Sequence, residues 1–125
     1  MIAEPIEIRL PWPPSVNTIR RNVVINKRPR TLLSAAGRQW FADAAGHVAV
    51  QRAGAKLLGR VHVDITLHAP DRRAIDIDNR AKALLDACTK GGMWHDDGQV
   101  DVLTLRRADV VRGGLAIVRV TEVGQ

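Results

Sequence analysis

The sequence predicts an α/β fold of the α+β kind, in which a mixed β-sheet of about four to five strands has two main helices packed on it. Four segments alternate apolar and polar side chains with a period of two residues, which is typical of half-buried strands. Two other segments repeat apolar side chains every three or four residues, which is typical of amphipathic helices. The chain has 125 residues, a length that suits one domain, so residues 1–125 are expected to fold as a single unit.

The predicted strands are bounded by residues that interrupt a β-ladder. The first strand ends at Pro11, because proline has no backbone N–H to donate, and the strand with the clearest alternation ends at Pro70. The last two strands are separated by Gly113-Gly114, which predicts a hairpin between them. The four strands are residues 6–10, 61–69, 100–107 and 115–123.

Each predicted helix has a recognisable start. Ser34 is expected to cap a helix over residues 35–52, because its hydroxyl can accept a hydrogen bond from a free backbone N–H of the first turn. Asp78 or Asn79 is expected to cap a second helix in the same way. This second helix continues to about residue 90, where a pair of glycines stops it.

The charge of the chain predicts a polyanionic partner. Nineteen Lys and Arg residues against thirteen Asp and Glu residues give a net charge of +6, and nucleic acid is the leading candidate. Several basic residues lie in a long polar connection, residues 15–33, and long exposed loops are often functional. Within it, residues 23–25 could form a brief strand, followed by a turn at Asn26-Lys27. The basic residues expected to bind DNA from this connection are Arg20, Arg21, Lys27, Arg28 and Arg30.

Some classes of protein are disfavoured by what the sequence lacks. It contains no stretch of about 18 apolar residues, so no membrane span is expected. Its first residues lack the basic and apolar regions of a signal peptide. Cys88 is the single cysteine, so the chain cannot form an internal disulfide, and a cytoplasmic location is expected. With one cysteine and four scattered histidines, a zinc site is not expected.

Two acidic residues, Asp76 and Asp78, lie two positions apart just before the second predicted helix. In an extended backbone their side chains would share one side, while Ile75 and Ile77 would turn toward the core. Two carboxylates this close repel each other, and a bound divalent cation removes that cost. Hard oxygen ligands suit Mg²⁺. The spacing therefore predicts a Mg²⁺ site.

A lysine and a second acidic pair extend this candidate site. Lys82 lies four residues after Asp78, so on a helix it would project on the same face. There it could stabilise the charge of a phosphoryl group in the transition state, and Asp86 could hold it in place. Asp96-Asp97 follows the helix, and a carboxylate from this loop could complete the metal site. Metal-assisted phosphodiester cleavage needs little beyond such acidic ligands, the metal, an activated water and a nearby cation.

Neighbouring residues complete the expected site. Arg72 and Arg73 flank the acidic cluster and are the best candidates for contact with phosphates. Trp94 precedes the second acidic pair and is expected to be a buried anchor that positions the loop carrying Asp97.

A structural interpretation competes with this one. Residues 76–79 could be simple capping chemistry, and residues 96–98 could be a turn. Lys82 could belong to a solvated helix pair worth only a few tenths of a kcal/mol. The protein would then be a non-catalytic basic module that binds DNA or RNA. The combination of these residues in one basic chain favours an enzyme.

The motifs resemble those of the RusA-type Holliday-junction resolvases, and the resemblance spans nearly the whole chain. Its more specific part is the D-x-D-N-x-x-K pattern of residues 76–82, followed by W-x-D-D in residues 94–97. The proline-rich segment of residues 10–17 also resembles the opening motif of the family. Family members often carry an aromatic residue near Ile19, whereas this chain has no tyrosine at all. The connection of residues 15–33 is therefore expected to contribute mainly charge.

The resemblance implies a homodimer that binds four-way DNA junctions and nicks two strands symmetrically with Mg²⁺. It assigns metal binding and catalysis to three carboxylates and an essential catalytic role to the lysine of the motif. These residues are Asp76, Asp78, Asp97 and Lys82. Asn79 would support the acidic cluster, and Asp96 could assist. The residues alone do not separate junction DNA from other branched nucleic acids, so a metal-dependent nuclease for another branched substrate is an alternative.

Overall fold

The fold consists of strands and two main helices in a computed structural model that describes residues 4–15, 18, 20–52 and 54–124. Val16, Asn17 and Ile19 of the proline-rich opening segment lie outside the described residues. The strands are β1 (Ile6–Pro11), β2 (Arg20–Ile25), β3 (Arg28–Leu33), β4 (Arg60–His68), β5 (Val100–Arg107) and β6 (Leu115–Gly124). The main helices are α1 (Ala35–Gln51) and α2 (Asp78–Lys90), and a short 3-10 turn covers Asp97–Gln99.

Four of the strands form one mixed sheet in the order β1-β6-β4-β5. β6 pairs antiparallel with both β1 and β4, whereas β4 and β5 are parallel. A parallel pair needs a crossover connection, and α2 supplies it between β4 and β5. The predicted α+β class and the mixed sheet with two main helices are therefore confirmed.

The hairpin predicted between the last two strands is wrong. β5 and β6 lie on opposite sides of β4 and do not pair with each other. The connection between them instead crosses the end of β4, where the backbone N–H of Ala108 donates to Leu67 O at 2.9 Å and that of Val111 donates to Ala69 O at 3.0 Å. Gly113 and Gly114 have the positive φ that a tight turn requires, but this turn leads into a strand that pairs with β4 and β1.

β2 and β3 form a separate two-stranded hairpin. Asn26 and Lys27 at its turn have φ angles of 51° and 64°, as a two-residue hairpin turn of type I′ requires. The expected turn is present, but the brief strand predicted over residues 23–25 is the end of a longer one, and β3 was not predicted. Residues 28–33 show no clear alternation of apolar and polar side chains, because basic residues and a proline interrupt the apolar ones.

The core lies between one face of the four-stranded sheet and the two helices. Trp40, Phe41 and Val48 are buried from α1, and Leu84 and Cys88 are buried from α2. The sheet contributes the alternate, fully or almost fully buried side chains of its strands, chiefly Ile8, Leu10, Val61, Val63, Ile65, Leu67, Val118 and Val120. Burial raises the pKa of the Cys88 thiol to about 12, so this cysteine is a packing residue. No helix in the described part of the chain is long and apolar enough to cross a membrane.

Candidate functional site

Lys82 lies between two carboxylates on the surface of α2. Its Nζ is 3.0 Å from Asp86 Oδ1 and 3.1 Å from Asp97 Oδ2. The lysine side chain is 69% exposed, while those of Asp86 and Asp97 are about one-quarter exposed. Hydrogen bonds to Asp86 and then to Asp97 raise the pKa of Lys82, so it remains a cation at neutral pH. The contact with Asp86 is the i to i+4 pair that the sequence predicted.

Asp97 is held by one group from α2 and one from the loop that follows this helix. Its Oδ1 accepts a short hydrogen bond from the Thr89 hydroxyl of α2 and one from Trp94 Nε1 at 3.4 Å. Burial opposes ionisation of this carboxyl, but hydrogen bonds, led by those from Thr89 and Lys82, outweigh it and lower its pKa. Asp97 is therefore a carboxylate with one oxygen directed to Lys82 and the other to Thr89.

The loop that carries Asp97 is anchored as the sequence predicted. Trp94 is fully buried, and its Nε1 also donates to the Thr89 hydroxyl at 2.7 Å. Gln99 fixes the other end of the loop, because its Nε2 donates to the carbonyls of Leu57 and Gly59 at 2.9 Å each. The Gln99 side-chain oxygen also accepts from the backbone N–H of Asp96 at 3.1 Å. Asp96 thus precedes the 3-10 turn and takes part in its hydrogen bonding through its backbone.

The start of α2 differs from the expectation. The N-cap is Ile77 rather than Asp78 or Asn79, and no side-chain hydrogen bond caps the helix. Ile77 already has helical backbone angles, φ −66° and ψ −32°, and packs against the core, so the expected extended backbone does not continue through it. Asp76, Asp78 and Asn79 are all exposed. Asp78 is the first helical residue, where a carboxylate interacts favourably with the helix dipole.

The structure brings some of the predicted site residues together. Lys82 and Asp97 are in contact, and Asp78 lies one turn before Lys82 on the same helix face, about 6 Å along the axis. Asp86 lies about 12 Å from Asp78 along the same axis. Within the described ranges, no three His, Cys, Asp or Glu side chains form a group that could hold a metal ion. Asp76 and Asp78 are therefore not gathered with Asp97 around one point.

The two arginines before the acidic segment lie in an exposed bend. Arg73 forms an ion pair with Asp71 at 3.0 Å, and this hydrogen bonding lowers the pKa of the Asp71 carboxyl. Arg107 of β5 donates to the backbone carbonyl of Arg73 at 3.1 Å and fixes the bend to the sheet. Arg72 and Arg73 are both exposed, so both guanidinium groups can be approached from solvent.

The basic residues of the connection of residues 15–33 lie on the β2–β3 hairpin. Arg21, Lys27, Arg28 and Arg30 are all exposed there. The side chain of Arg20 lies outside the part of the chain that the structure describes. The predicted basic patch is thus a defined two-stranded element rather than an irregular loop.

Sequence reasoning missed Thr89 and Arg80. Thr89 lies seven residues after Lys82, so helical spacing could have placed it on the same face, but only the folded loop shows that it meets Asp97. Arg80 lies over the Trp12 ring at 5.3 Å and donates to Pro13 O at 2.5 Å. It thereby ties the first turn of α2 to the proline-rich turn after β1. No spacing in the sequence indicates this contact.

Known proteins resemble this chain over nearly its full length. A family model described as Endodeoxyribonuclease RusA matches residues 11–121. A crossover junction endodeoxyribonuclease of Enterobacteria phage 82 is 38% identical over 117 residues, which cover 94% of each chain. Crossover junction endodeoxyribonucleases of Escherichia coli K12 and Shigella sonnei are 38% identical over the same share. The family resemblance is thus confirmed, and the chain belongs to the endodeoxyribonuclease RusA family.

Proposed function

We propose that this protein is a Mg²⁺-dependent, structure-selective endodeoxyribonuclease that resolves Holliday junctions by paired symmetric nicks. The observation that supports it most is the 38% identity, over 94% of the chain, to proteins named crossover junction endodeoxyribonuclease. Its role in the cell is DNA recombination and repair. The charged contacts around Lys82 and Asp97 give the proposal a chemical basis.

Asp76, Asp78 and Asp97 are the proposed metal-binding residues. The donor chemistry fits Mg²⁺, because all three offer carboxylate oxygens and Asp97 is held ionised by its hydrogen bonds. Mg²⁺ usually keeps several water ligands and takes one or two carboxylates directly, so the remaining carboxylate would bind it through a coordinated water. When bound, the metal would activate a water and polarise the scissile phosphate. Asn79, next to Asp78, and Asp96, next to Asp97, support these carboxylates.

Lys82 is the proposed catalytic cation. In the free protein its ammonium neutralises Asp86 and Asp97, which otherwise repel each other across the surface of α2. Its side chain is mostly exposed and flexible enough to reach a phosphate that lies near these acids. A charged donor held close to the scissile phosphate stabilises the extra negative charge of the transition state.

The proposed DNA contacts come from two exposed basic regions. Arg72 and Arg73 lie before the acidic segment, where phosphates next to the scissile bond would pass. The residues Arg20, Arg21, Lys27, Arg28 and Arg30 of the β2–β3 hairpin form the second region. These side chains bind the phosphate backbone of the junction arms, so binding is expected to weaken as salt rises.

The proposed assembly is a homodimer in the cytoplasm. A four-way junction has approximate two-fold symmetry, and a two-fold dimer presents two equivalent sites to it. Two such sites account for paired nicks on strands of the same polarity. A cytoplasmic location gives access to DNA and keeps the buried thiol of Cys88 reduced.

The test is cleavage of a synthetic four-way junction by the purified protein in Mg²⁺ and in EDTA. We expect nicking that requires Mg²⁺, and we expect Asp76→Asn to abolish cutting while junction binding remains, because the carboxylate and not the fold is removed. Asp43→Asn, an exposed aspartate on α1, is the matched control and should cut normally. Equal cutting by Asp76→Asn and the parent protein would remove the assigned metal role.

One observation favours a second candidate function. Asp76 and Asp78 are exposed and, in the described chain, belong to no three-residue metal group, as a non-catalytic module that binds DNA or RNA would allow. Such a module would bind the junction and cut nothing in any divalent metal. Cutting of a flap or another branched substrate in preference to the junction would instead indicate a nuclease of different specificity.

A further inference from the structure

The tip of the β2–β3 hairpin presents apolar side chains to solvent. Val24 is 75% exposed and Ile25 is 45% exposed, and these residues end β2 directly before the turn at Asn26 and Lys27. Leu32 on the opposite strand is 39% exposed. A single exposed apolar residue is ordinary, but three on one two-stranded element indicate contact surfaces, with Ile25 and Leu32 on one face of the hairpin and Val24 on the other.

The positive charge around this tip indicates what kind of partner would bind there. The sequence contains no Asp or Glu from residue 8 to residue 42, a stretch that includes the whole hairpin. Lys27 and Arg28 follow the apolar tip directly, and Arg30 lies two residues further. A partner that offers both dense negative charge and exposed apolar surface complements this combination, and a nucleic acid with accessible bases offers both.

The strand register arranges the hairpin into two different faces. Val23 is opposite Arg30, and Ile25 is opposite Arg28, so these four side chains lie on one face of the ribbon. On this face, each apolar side chain of β2 therefore lies directly across from a cationic side chain of β3. A two-stranded ribbon of this width fits into the major groove of duplex DNA.

A branch point differs from a linear duplex in the surface it exposes. In a linear duplex each base pair is covered on both sides by its neighbours, except at the two ends. Where arms meet, base pairs next to the crossover can lose a neighbour, and their flat apolar faces become accessible. Apolar side chains are known to wedge between base steps, and the free energy of burying such a face favours the open structure.

We propose that the hairpin tip is the element that recognises the branch point. Ile25 on one face of the tip and Val24 on the other each cover a base face that is open at the crossover, so the tip acts as a wedge between two arms. Arg21, Arg28 and Arg30 bind phosphates of the adjoining arms. The proposal rests on the proposed function, and it assigns preference for branched over linear DNA to residues outside the acidic site.

The test compares binding of a four-way junction and of a linear duplex of equal length, in EDTA so that cleavage plays no part. The variant Val24→Thr with Ile25→Thr keeps β-branched side chains and so preserves the strands. We expect its affinity for the junction to fall about tenfold, a change of about 1.4 kcal/mol. Its affinity for a linear duplex whose two ends are closed by hairpin loops should stay within about twofold, because no base face is open there.

Matched variants separate the apolar contribution from the charge. Val50→Thr alters another strongly exposed valine, 80% exposed on α1, and should change neither affinity. Arg28→Gln with Arg30→Gln should weaken binding of both substrates and reduce the slope of log affinity against log salt by about 2. A 2-aminopurine base placed next to the crossover should change fluorescence with the parent protein and not with the threonine variant.

Two outcomes would overturn the proposal. The first is a threonine variant that loses affinity equally for both substrates, or for neither, while the parent protein prefers the junction. The second is sedimentation showing that the threonine variant is monomeric where the parent is dimeric without DNA, since the tip would then contact a second copy of the chain. A parent protein without any preference for the junction would contradict the proposed function itself, which keeps the two failures distinct.

Discussion

Asp97 receives contacts from three different parts of the chain: the Thr89 hydroxyl, the indole of Trp94 and the ammonium of Lys82. The pairing of Lys82 with Asp86 could be predicted, because it depends only on the four-residue spacing of a helix. Thr89 could not, because its contact with Asp97 depends on how the loop after α2 folds back over the helix. Local spacing thus predicted the members of the site on α2 and left the tertiary contacts undetermined.

Thr89→Val should shift the acid limb of cleavage. The hydrogen bonds on Asp97 lower its pKa, so the stability that its charge adds is present above the unfolded pKa and is lost as pH falls through the folded pKa. Removal of the hydroxyl should raise that pKa, so both cleavage and stability should begin to fall at a higher pH. The variant also removes the shorter of the two hydrogen bonds of the Trp94 N–H and leaves the longer one to Asp97, at a cost of about 0.5–1.5 kcal/mol.

The measurements are single-turnover cleavage and the free energy of unfolding, each as a function of pH. Thr89→Ser keeps the hydroxyl and should restore both profiles. Superimposable acid limbs for the parent protein and Thr89→Val would show that this hydroxyl does not control the charge of Asp97.

At the scale of elements, periodicity predicted what each segment is but not which neighbour it pairs with. The alternation in β5 and β6 gave both strands nearly correct bounds, and a short connection containing Gly113 and Gly114 suggested a hairpin. The pairing with β4 was decided by the crossover through α2, which places β5 parallel to β4. The start of α2 was also misplaced, because the N-cap is Ile77 and not Asp78 or Asn79, and residue preferences for capping fix a helix start only to within one or two positions.

The close approach of the two helices makes a prediction about Gly91. A Cβ at this position would lie 2.4 Å from Val48 Cβ and 2.7 Å from Ala45 O, although the φ of Gly91 is an ordinary −81°. Gly91→Ala should therefore push α1 and α2 apart and destabilise the protein by about 1–3 kcal/mol. Urea denaturation measures this change.

Gly46→Ala is the matched control within α1, because a Cβ there meets nothing within 4 Å. It should stabilise the protein by about 0.5–1 kcal/mol, since alanine favours a helix interior over glycine. A Gly91→Ala variant as stable as the parent would show that the helices can move apart without loss of core packing.

For the whole molecule, the class was predictable because alternation and helical spacing each persist over long segments. The order of the strands was not, because alternation fixes the buried face of a strand and carries no information about its partner. The same limit applies to the assembly. The relatives' names refer to crossover junctions, but neither alternation nor helical spacing identifies the surface that the proposed dimer would bury.

If the protein acts as the proposed dimer, a dimer with only one intact site should give a different cleavage product from the parent dimer. A dimer with one parent protomer and one Asp97→Asn protomer, isolated through different affinity tags, contains a single intact site. On a plasmid with an extruded cruciform it should yield mainly nicked circles, whereas the parent dimer should yield linear DNA. Linear product from the mixed dimer at the parent rate would mean that one site cuts both strands.

The pairing of β1 with β6 affects how the chain can acquire its structure. Ile6 faces Val120 in the register, so the edge strand β1 cannot pair until a strand that is synthesised much later is available. During synthesis on the ribosome, β1 cannot join the four-stranded sheet, and its apolar face cannot be buried there, until β6 has emerged. Such distant pairing raises the contact order and slows folding, so the nascent chain should depend on chaperones to protect its early strands from aggregation.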